Sequence, residues 1–320
     1  MAAIPTPRNS LSRLRRREAF DGFLFASPWL VGFVVFIFGP MIASLVLSTA
    51  QWDGITKNIH WVGLGNYREL ITDDELFRKA MQNTLFYAGF SVPLATCTAL
   101  GLALLLNQKV RGIAIFRTVF YLPAIVSGVA TSMLWLWLFN PSYGLINHIL
   151  RMVNHGFAFV GLDRVQIPEP GWLTNESTAI WAFILMSLWG VGNGMLIYLA
   201  GLQNMPEQLY EAADLDGAST AIKFRHVTLP MLTPTIFYNL IMAIIGSFQV
   251  FTASYVMTGG GPNNATLFYV LYLYKKAFEQ FQMGYASAMA WILFAVVLAL
   301  TLAVIKSSKA WVYYEGERAG

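Results

Sequence analysis

Six runs of apolar residues, at 23–49, 80–106, 118–139, 178–201, 231–258 and 283–305, alternate with shorter polar segments along the chain. Each is longer than the roughly 20 residues that a helix needs to cross a hydrocarbon core of about 30 Å. Each is also nearly free of Asp, Glu, Lys, Arg and His. A transmembrane barrel would show short segments of period-two alternation, and that pattern is absent. The runs predict an all-α integral membrane protein with six transmembrane helices. Composition agrees: 56% of the 320 residues are hydrophobic, 12% are charged, and the mean hydropathy is +0.54.

The connecting segments set an orientation. With a cytoplasmic N-terminus, thirteen of the 21 Lys and Arg residues fall inside, five of them at Arg8, Arg13, Arg15, Arg16 and Arg17. The others are Lys109, Arg111, Arg117, Lys223, Arg225, Lys306, Lys309 and Arg318, against eight on the outer side. Both termini are expected in the cytoplasm. The expected organisation is a basic arm at 1–22, a six-helix domain at 23–305 with a cytoplasmic loop at 202–230, and a cytoplasmic tail at 306–320. The apolar run behind the basic arm is about twice the 7–15 residues of a signal-peptide core, so it reads as an uncleaved first helix. This flank explains the net charge of +4 without a nucleic-acid partner.

Several chemistries find no support. The runs contain no ionisable residue of the kind that marks proton relays or voltage sensors. The four histidines, His60, His148, His155 and His226, lie in connecting segments without metal-ligand spacing. The glycine-rich TGGGPNNAT at 258–266 lacks the G-K-[ST] ending of a phosphate-binding loop. No cluster of titratable or nucleophilic groups suggests an enzyme. Cys97 is the single cysteine and leaves no internal disulfide. A transporter of this kind draws its power either from another polypeptide or from an ion gradient.

The segment EAADLDGASTAIKFRHVTLP at 211–230 stands out between two apolar runs. Pro206 and Glu207 suit a helix start. Glu207, Glu211 and Asp214 then share one face, and Met205, Leu209, Ala212 and Ala213 another. Gly217 is expected to end this helix in the left-handed conformation, Ser219 to cap a second short helix, and Pro230 to close it. Small residues at Ala212, Ala213, Gly217 and Ala218 would admit another body closely. On physical grounds a docking element and an amphipathic loop resting on headgroups are equally compatible with this pattern.

The same segment resembles the EAA loop of permeases of ATP-binding-cassette (ABC) importers, with Glu211-Ala212-Ala213, Gly217 and Val227-Thr228-Leu229-Pro230 in the family's spacing and Val227 in place of the usual isoleucine. SPWLVGF at 27–33, GLGNY at 63–67, NTLFY at 83–87, FRTVFYLP at 116–123 and TGGGP at 258–262 are similar to the carbohydrate branch of that family, which includes maltose and glycerol-phosphate permeases. The resemblance implies a type I importer fold in a bacterial or archaeal plasma membrane, with the EAA loop at 202–230 as a coupling helix on an ATPase. Glu207, Glu211, Ala212, Ala213, Asp214, Gly217, Leu229 and Pro230 would then serve the coupling. It further implies a second permease, two ATPase subunits that bind ATP and Mg, and an extracytoplasmic solute-binding protein. The chain itself would carry no cofactor. An ion-coupled secondary sugar carrier is the alternative.

Ungapped counting from the EAA segment places the family's sugar-lining positions on Met186, Trp189, Gly190 and Asn193 in the fourth run, and on Ala243, Gly246, Ser247 and Val250 in the fifth. Trp189, Asn193 and Ser247 supply the stacking face, amide and hydroxyl that sugars favour. Ala243 and Val250 have no polar group, and nearby Gln249 and Tyr255 are candidate substitutes. Within 140–175, Leu145, Ile149 and Met152 recur at helical spacing and predict a short outer helix, followed by irregular chain around Pro168, Pro170, Gly171 and Trp172.

Overall fold

The computed structural model describes residues 8–108, 110–159 and 167–313. Lys109, Arg318, the first seven residues of the basic arm and 314–320 of the tail lie outside them. Four helices are long and apolar enough to cross a membrane: Arg15–Leu47, Glu75–Leu106, Thr220–Met257 and Met283–Trp311. The other two spans are bent pairs, Ile113–Ile125 with Gly128–Leu138 at 99° and Glu176–Trp189 with Gly192–Gln203 at 43°. The third and fourth apolar runs are thus broken helices, which a smooth hydropathy pattern cannot reveal. The only strands among the described residues are Ala50–Gln51 and His60–Trp61, paired antiparallel with Ala50 opposite Trp61.

Helix ends differ from the expected boundaries. The first helix starts at Arg8, inside the basic arm, because arginine is a good helix former and polar residues continue a helix beyond the hydrocarbon. The last runs to Trp311, six residues past the expected end at 305. Pro230 does not close a short helix. Thr220–Lys223 passes through a wide turn at Phe224–Thr228 into Leu229–Ser247, with the Leu229 N–H reaching back to the Phe224 carbonyl. The first span uses the same device before Pro40, where the Gly39 N–H reaches Val34. A proline ring clashes with a regular preceding turn, and one wide turn lets the helix continue past it.

The Glu75–Leu106 helix is the central post, packing on Glu176–Trp189, Gly192–Gln203 and Leu229–Ser247. Around it lie three apolar clusters. One, at the end where this helix starts, contains Phe77, Tyr269, Tyr272 and Met289; a second contains Trp135, Phe139, Phe183 and Phe268. The third, at its far end, contains Leu106, Tyr198, Leu202 and Leu232. The Gly192–Gln203 helix comes so close to Ile113–Ile125 that a Cβ on Gly192 would lie 2.9 Å from the Phe120 carbonyl oxygen. By contrast, the most apolar stretch of Arg15–Leu47 is not buried at all, and this helix meets the rest mainly through Gly39–Leu47 on Met283–Trp311.

Several motif residues act as pins. Asn66 of GLGNY, 1% exposed, donates to the Ser48 and Ala50 carbonyls at 2.9 Å each and fastens the loop to the end of the first span. Asn83 of NTLFY donates to the Asn264 and Leu267 carbonyls at 2.8 and 3.1 Å. Arg117 of FRTVFYLP donates through Nη2 to the Leu106 carbonyl at 2.9 Å, capping the central helix. In TGGGP, Gly259 and Gly260 have φ of 60° and 100°, in the left-handed region that favours glycine.

Candidate functional site

The first candidate element is the turn around Gly217. Glu207–Leu215 is a helix that starts after Pro206, as expected. Gly217 has φ +73°; its N–H bonds the Asp214 carbonyl, and the Ala218 N–H bonds Ala213, which together make a Schellman end. Ser219 occupies the cap position of the following helix, yet its side chain makes no capping hydrogen bond. The two helices are fastened by Lys223 Nζ donating to Asp214 Oδ1 at 2.7 Å and by a 2.9 Å hydrogen bond between the Tyr210 and Thr228 hydroxyls. Glu207, Glu211, Ala212, Asp214 and Gly217 are exposed, Ala213 and Pro230 are half-buried, and Leu229 likewise opens the span. Leu215 is 90% exposed at the tip. Sequence reasoning missed Leu215, Tyr210 and Lys223. An apolar residue two positions before a helix-ending glycine was the available signal for the first.

The second element lies where helices break. Val126 and Ser127 are extended between Ile113–Ile125 and Gly128–Leu138, with the Ser127 hydroxyl capping the latter by accepting from the Ala130 N–H. Gly190 and Val191 separate Glu176–Trp189 from Gly192–Gln203. The fifth span leaves the helix between Ser247 and Thr252. These three breaks converge: Gly128, Gly190, Gln249, Val250 and Phe251 line one cavity of about 330 Å³, to which Trp189 and Tyr87 add aromatic faces and Thr131 and Ser132 hydroxyls. Interrupted backbone at membrane depth is tolerated where it is buried in protein or faces a cavity, because there its polar groups find partners. The ring of Trp189 meets Trp135 edge-to-face, centroids 6.0 Å apart.

A neighbouring cavity of about 360 Å³ is lined by Gly190, Asn193, Tyr198, Tyr238, Asn239 and Ala243, among others. The sequence-predicted residues therefore divide. Met186, Trp189, Gln249 and Val250 face the first cavity, Asn193 and Ala243 the second, and Gly190 both. Gly246 and Ser247 line neither. Ser247 is buried and donates to the Ile244 carbonyl of its own helix at 2.8 Å, so the ungapped count misses the cavity at 246 and 247, inside the helix, and meets it at Val250, past the break. Tyr255 stacks on Phe251 at 5.5 Å outside both. Tyr198 and Asn239 were missed, since a single tyrosine or asparagine inside an apolar run gives no directional signal.

At the far end from Gly217, the Asp74 carboxylate accepts from the Tyr272 and Tyr285 hydroxyls at 2.6 and 2.7 Å and from the Phe77 N–H at 2.9 Å. Burial opposes ionisation here, but these hydrogen bonds and the nearby Lys276 outweigh it and hold the carboxyl below its ordinary range. The expected outer helix is present as Leu145–Phe159, with Leu145, Ile149 and Met152 exposed. The irregular chain after it is anchored by Trp172 Nε1 donating to Asn147 Oδ1 at 2.7 Å.

A bundle of spans with three breaks around a membrane-depth cavity and a helical turn projecting at one end defines a membrane permease. Residues 77–311 match the family described as the binding-protein-dependent transport system inner membrane component, and the chain belongs to that family. It is 43% identical to the probable ABC transporter permease protein YesP of Bacillus subtilis over 96% of each chain. The arabinooligosaccharides transport system permease protein AraP of the same species is 35% identical, covering 89% of this chain and 88% of the relative. The trehalose/maltose transport system permease protein MalF of Thermococcus litoralis is 33% identical over 93% and 97%. The fold agrees with a bacterial ABC transporter involved in import of the polysaccharide alginate, at a TM-score of 0.74, 24% identity, and 93% and 98% coverage. The chain is thus a permease of ABC import, a transport component and not an enzyme, and the ion-coupled alternative falls away.

Proposed function

We propose that this permease imports a sugar or sugar-related solute, delivered by an extracytoplasmic binding protein, by alternating access around the cavity where the three helix breaks meet. That convergence is the observation that carries the reading: Trp189 and Tyr87 offer ring faces, and Thr131, Ser132 and Gln249 offer hydrogen bonds, in the mixture that sugar rings demand. The names of relatives such as AraP and MalF support the same substrate class. In this reading the Glu207–Leu215 helix and the turn at Gly217 seat in a cleft of an ATPase subunit, which binds ATP and Mg. A second permease completes the path, and two ATPase subunits drive it. Both termini, the 1–22 arm and the tail after the last span lie in the cytoplasm of a bacterial or archaeal cell, and 23–305 form the membrane domain of the inner membrane. The excess of Lys and Arg on that side supports this orientation.

The test is reconstitution in proteoliposomes. With its partner permease, ATPase and binding protein, the chain should accumulate sugar with ATP hydrolysis stimulated by the loaded binding protein, and the chain alone should move none. Uptake by the isolated chain under a proton or sodium gradient would overturn the reading.

A further inference from the structure

We infer that the cavity between the first turns of Glu75–Leu106 and Glu176–Trp189 is a phospholipid site, and that it takes a zwitterionic headgroup with a primary ammonium, as in phosphatidylethanolamine. The inference stands apart from the sugar reading. The orientation proposed above puts the site in the outer leaflet.

Three observations carry it. First, the cavity has opposite charges on its two walls. It measures about 510 Å³ and is lined by Lys79, Gln82 and Phe86 from one helix and by Glu176, Ser177 and Trp181 from the other. Lys79 and Glu176 are both exposed, and among the described residues neither enters an ion pair, with the other or elsewhere. A cation and a carboxylate that flank a gap without closing it match a phosphate and an ammonium on one small molecule. The Gln82 amide and the Ser177 hydroxyl add polar groups beside them. Second, the depth is that of headgroups. Lys79 precedes the apolar run at 80–106 and Glu176 the run at 178–201, so both stand at a membrane boundary, where the two helices start side by side. Third, the cavity continues into an apolar wall. Phe86 and Phe90 lie seven and eleven residues beyond Lys79 within one helix, about 10 and 16 Å along it. Their rings meet Trp181 with centroids 5.4 and 5.0 Å apart, and all three side chains are 39–43% exposed. Open rings at hydrocarbon depth, with a tryptophan near the boundary, form a surface for acyl chains. A soluble ligand would fill the polar mouth and leave this wall bare, whereas a phospholipid covers both.

The test is native mass spectrometry of the purified importer, this permease with its partner subunits, titrated separately with phosphatidylethanolamine, phosphatidylcholine and phosphatidylglycerol of one acyl composition. The wild type should bind the ethanolamine lipid several-fold more tightly than the other two. The choline ammonium has no N–H to donate to Glu176, and the glycerol headgroup has no ammonium. Glu176→Gln should lower affinity for the ethanolamine lipid about fivefold and abolish the preference, and Lys79→Gln should weaken all three lipids by a similar factor. Lys57→Gln, at an exposed position on the same side but outside the cavity, should change nothing. Equal wild-type affinity for the three lipids overturns the inference. So does a preference that survives Glu176→Gln, or one that Lys57→Gln removes as well. Loss of a partner subunit from the Lys79→Gln or Glu176→Gln complex also overturns it, because a protein surface then covers the cavity.

Discussion

Lys223 Nζ lies 2.7 Å from Asp214 Oδ1, an ion pair that spans the Gly217 bend and ties the Glu207–Leu215 helix to the start of the fifth span. Asp214 is therefore engaged within the chain, while Glu207 and Glu211 of the same face stay exposed. The acidic face seen in sequence divides into an internal strut and two outward charges. The strut itself is largely solvated and worth about 0.2–1 kcal/mol.

Substitution at the bend should uncouple the permease. A Cβ on Gly217 meets nothing within 4 Å, so the obstacle to Gly217→Val is conformational, about 1–2 kcal/mol for a β-branched residue held at φ +73°. Glu211→Lys should act without strain, by reversing charge at the exposed face. Membrane level, ATPase co-purification and sugar-stimulated hydrolysis are the measurements. Normal insertion with lost or uncoupled hydrolysis is expected for both variants, and wild-type coupling in both would reduce the segment to a surface loop.

Trp189→Ala and Asn193→Ala should impair transport while the complex still assembles. Loss of the tryptophan removes a stacking face from the cavity at the three breaks and should cost more than loss of the asparagine, whose single hydrogen bond is worth about 1 kcal/mol. Uptake at limiting sugar, with subunit stoichiometry as control, decides. If both variants transport normally, neither side chain touches the solute.

Close packing at Gly192 should tolerate no side chain. In Gly192→Ala the new Cβ would sit 2.9 Å from the Phe120 carbonyl oxygen and 3.1 Å from Tyr121 Cα, both backbone atoms that cannot swing aside. Overpacking of this kind costs about 1–3 kcal/mol. Thermal unfolding in detergent should show the loss. At Gly194, where an added Cβ would meet Ala99 and Asn239 at 3.5 Å, alanine should be much milder.

The Asp74 cluster predicts a pH dependence with a definite sign. Its folded pKa is depressed below the ordinary 3.8, so its contribution is fully present above about pH 4 and fades as pH falls toward the lower folded value. Tyr285→Phe deletes one hydrogen bond to a carboxylate and should cost about 1.5–3 kcal/mol at pH 7, with the wild-type advantage shrinking as the pH is lowered through 4 and below. Melting temperatures of the two proteins from pH 7 to pH 3 provide the check; a constant difference across that range would mean that the carboxylate charge plays no part.

The six apolar runs and the Gly217 turn were legible in the sequence because each rests on local physics. Hydrocarbon thickness sets a run length, and a left-handed helix end asks for glycine. The convergence of Trp189, Gly190 and Val250 on one cavity was only partly legible. Counting gives a position and not a direction: Met186, Trp189 and Val250 reach the cavity across the breaks at 190–191 and 248–251, whereas Ser247, still inside the regular helix, turns back to bond the Ile244 carbonyl. FYLPAIVSG did carry a breaker signal in Pro123, Ser127 and Gly128, but the unbroken hydrophobicity around it outweighed that signal.

What the sequence by itself determined is a membrane-spanning, all-helical chain with a glycine-hinged helical turn, since burial in lipid forces hydrogen bonds to close within each helix and leaves their positions readable from residue order. What only the tertiary structure decided is where the spans break, that three breaks meet, and which polar side chains they leave unpaired. The pairing of Asp74 with Tyr285, and that of Asn83 with the Leu267 carbonyl, depend on segments up to 211 residues apart along the chain. Nothing in the local pattern around either residue encodes the neighbour that packing brings to it.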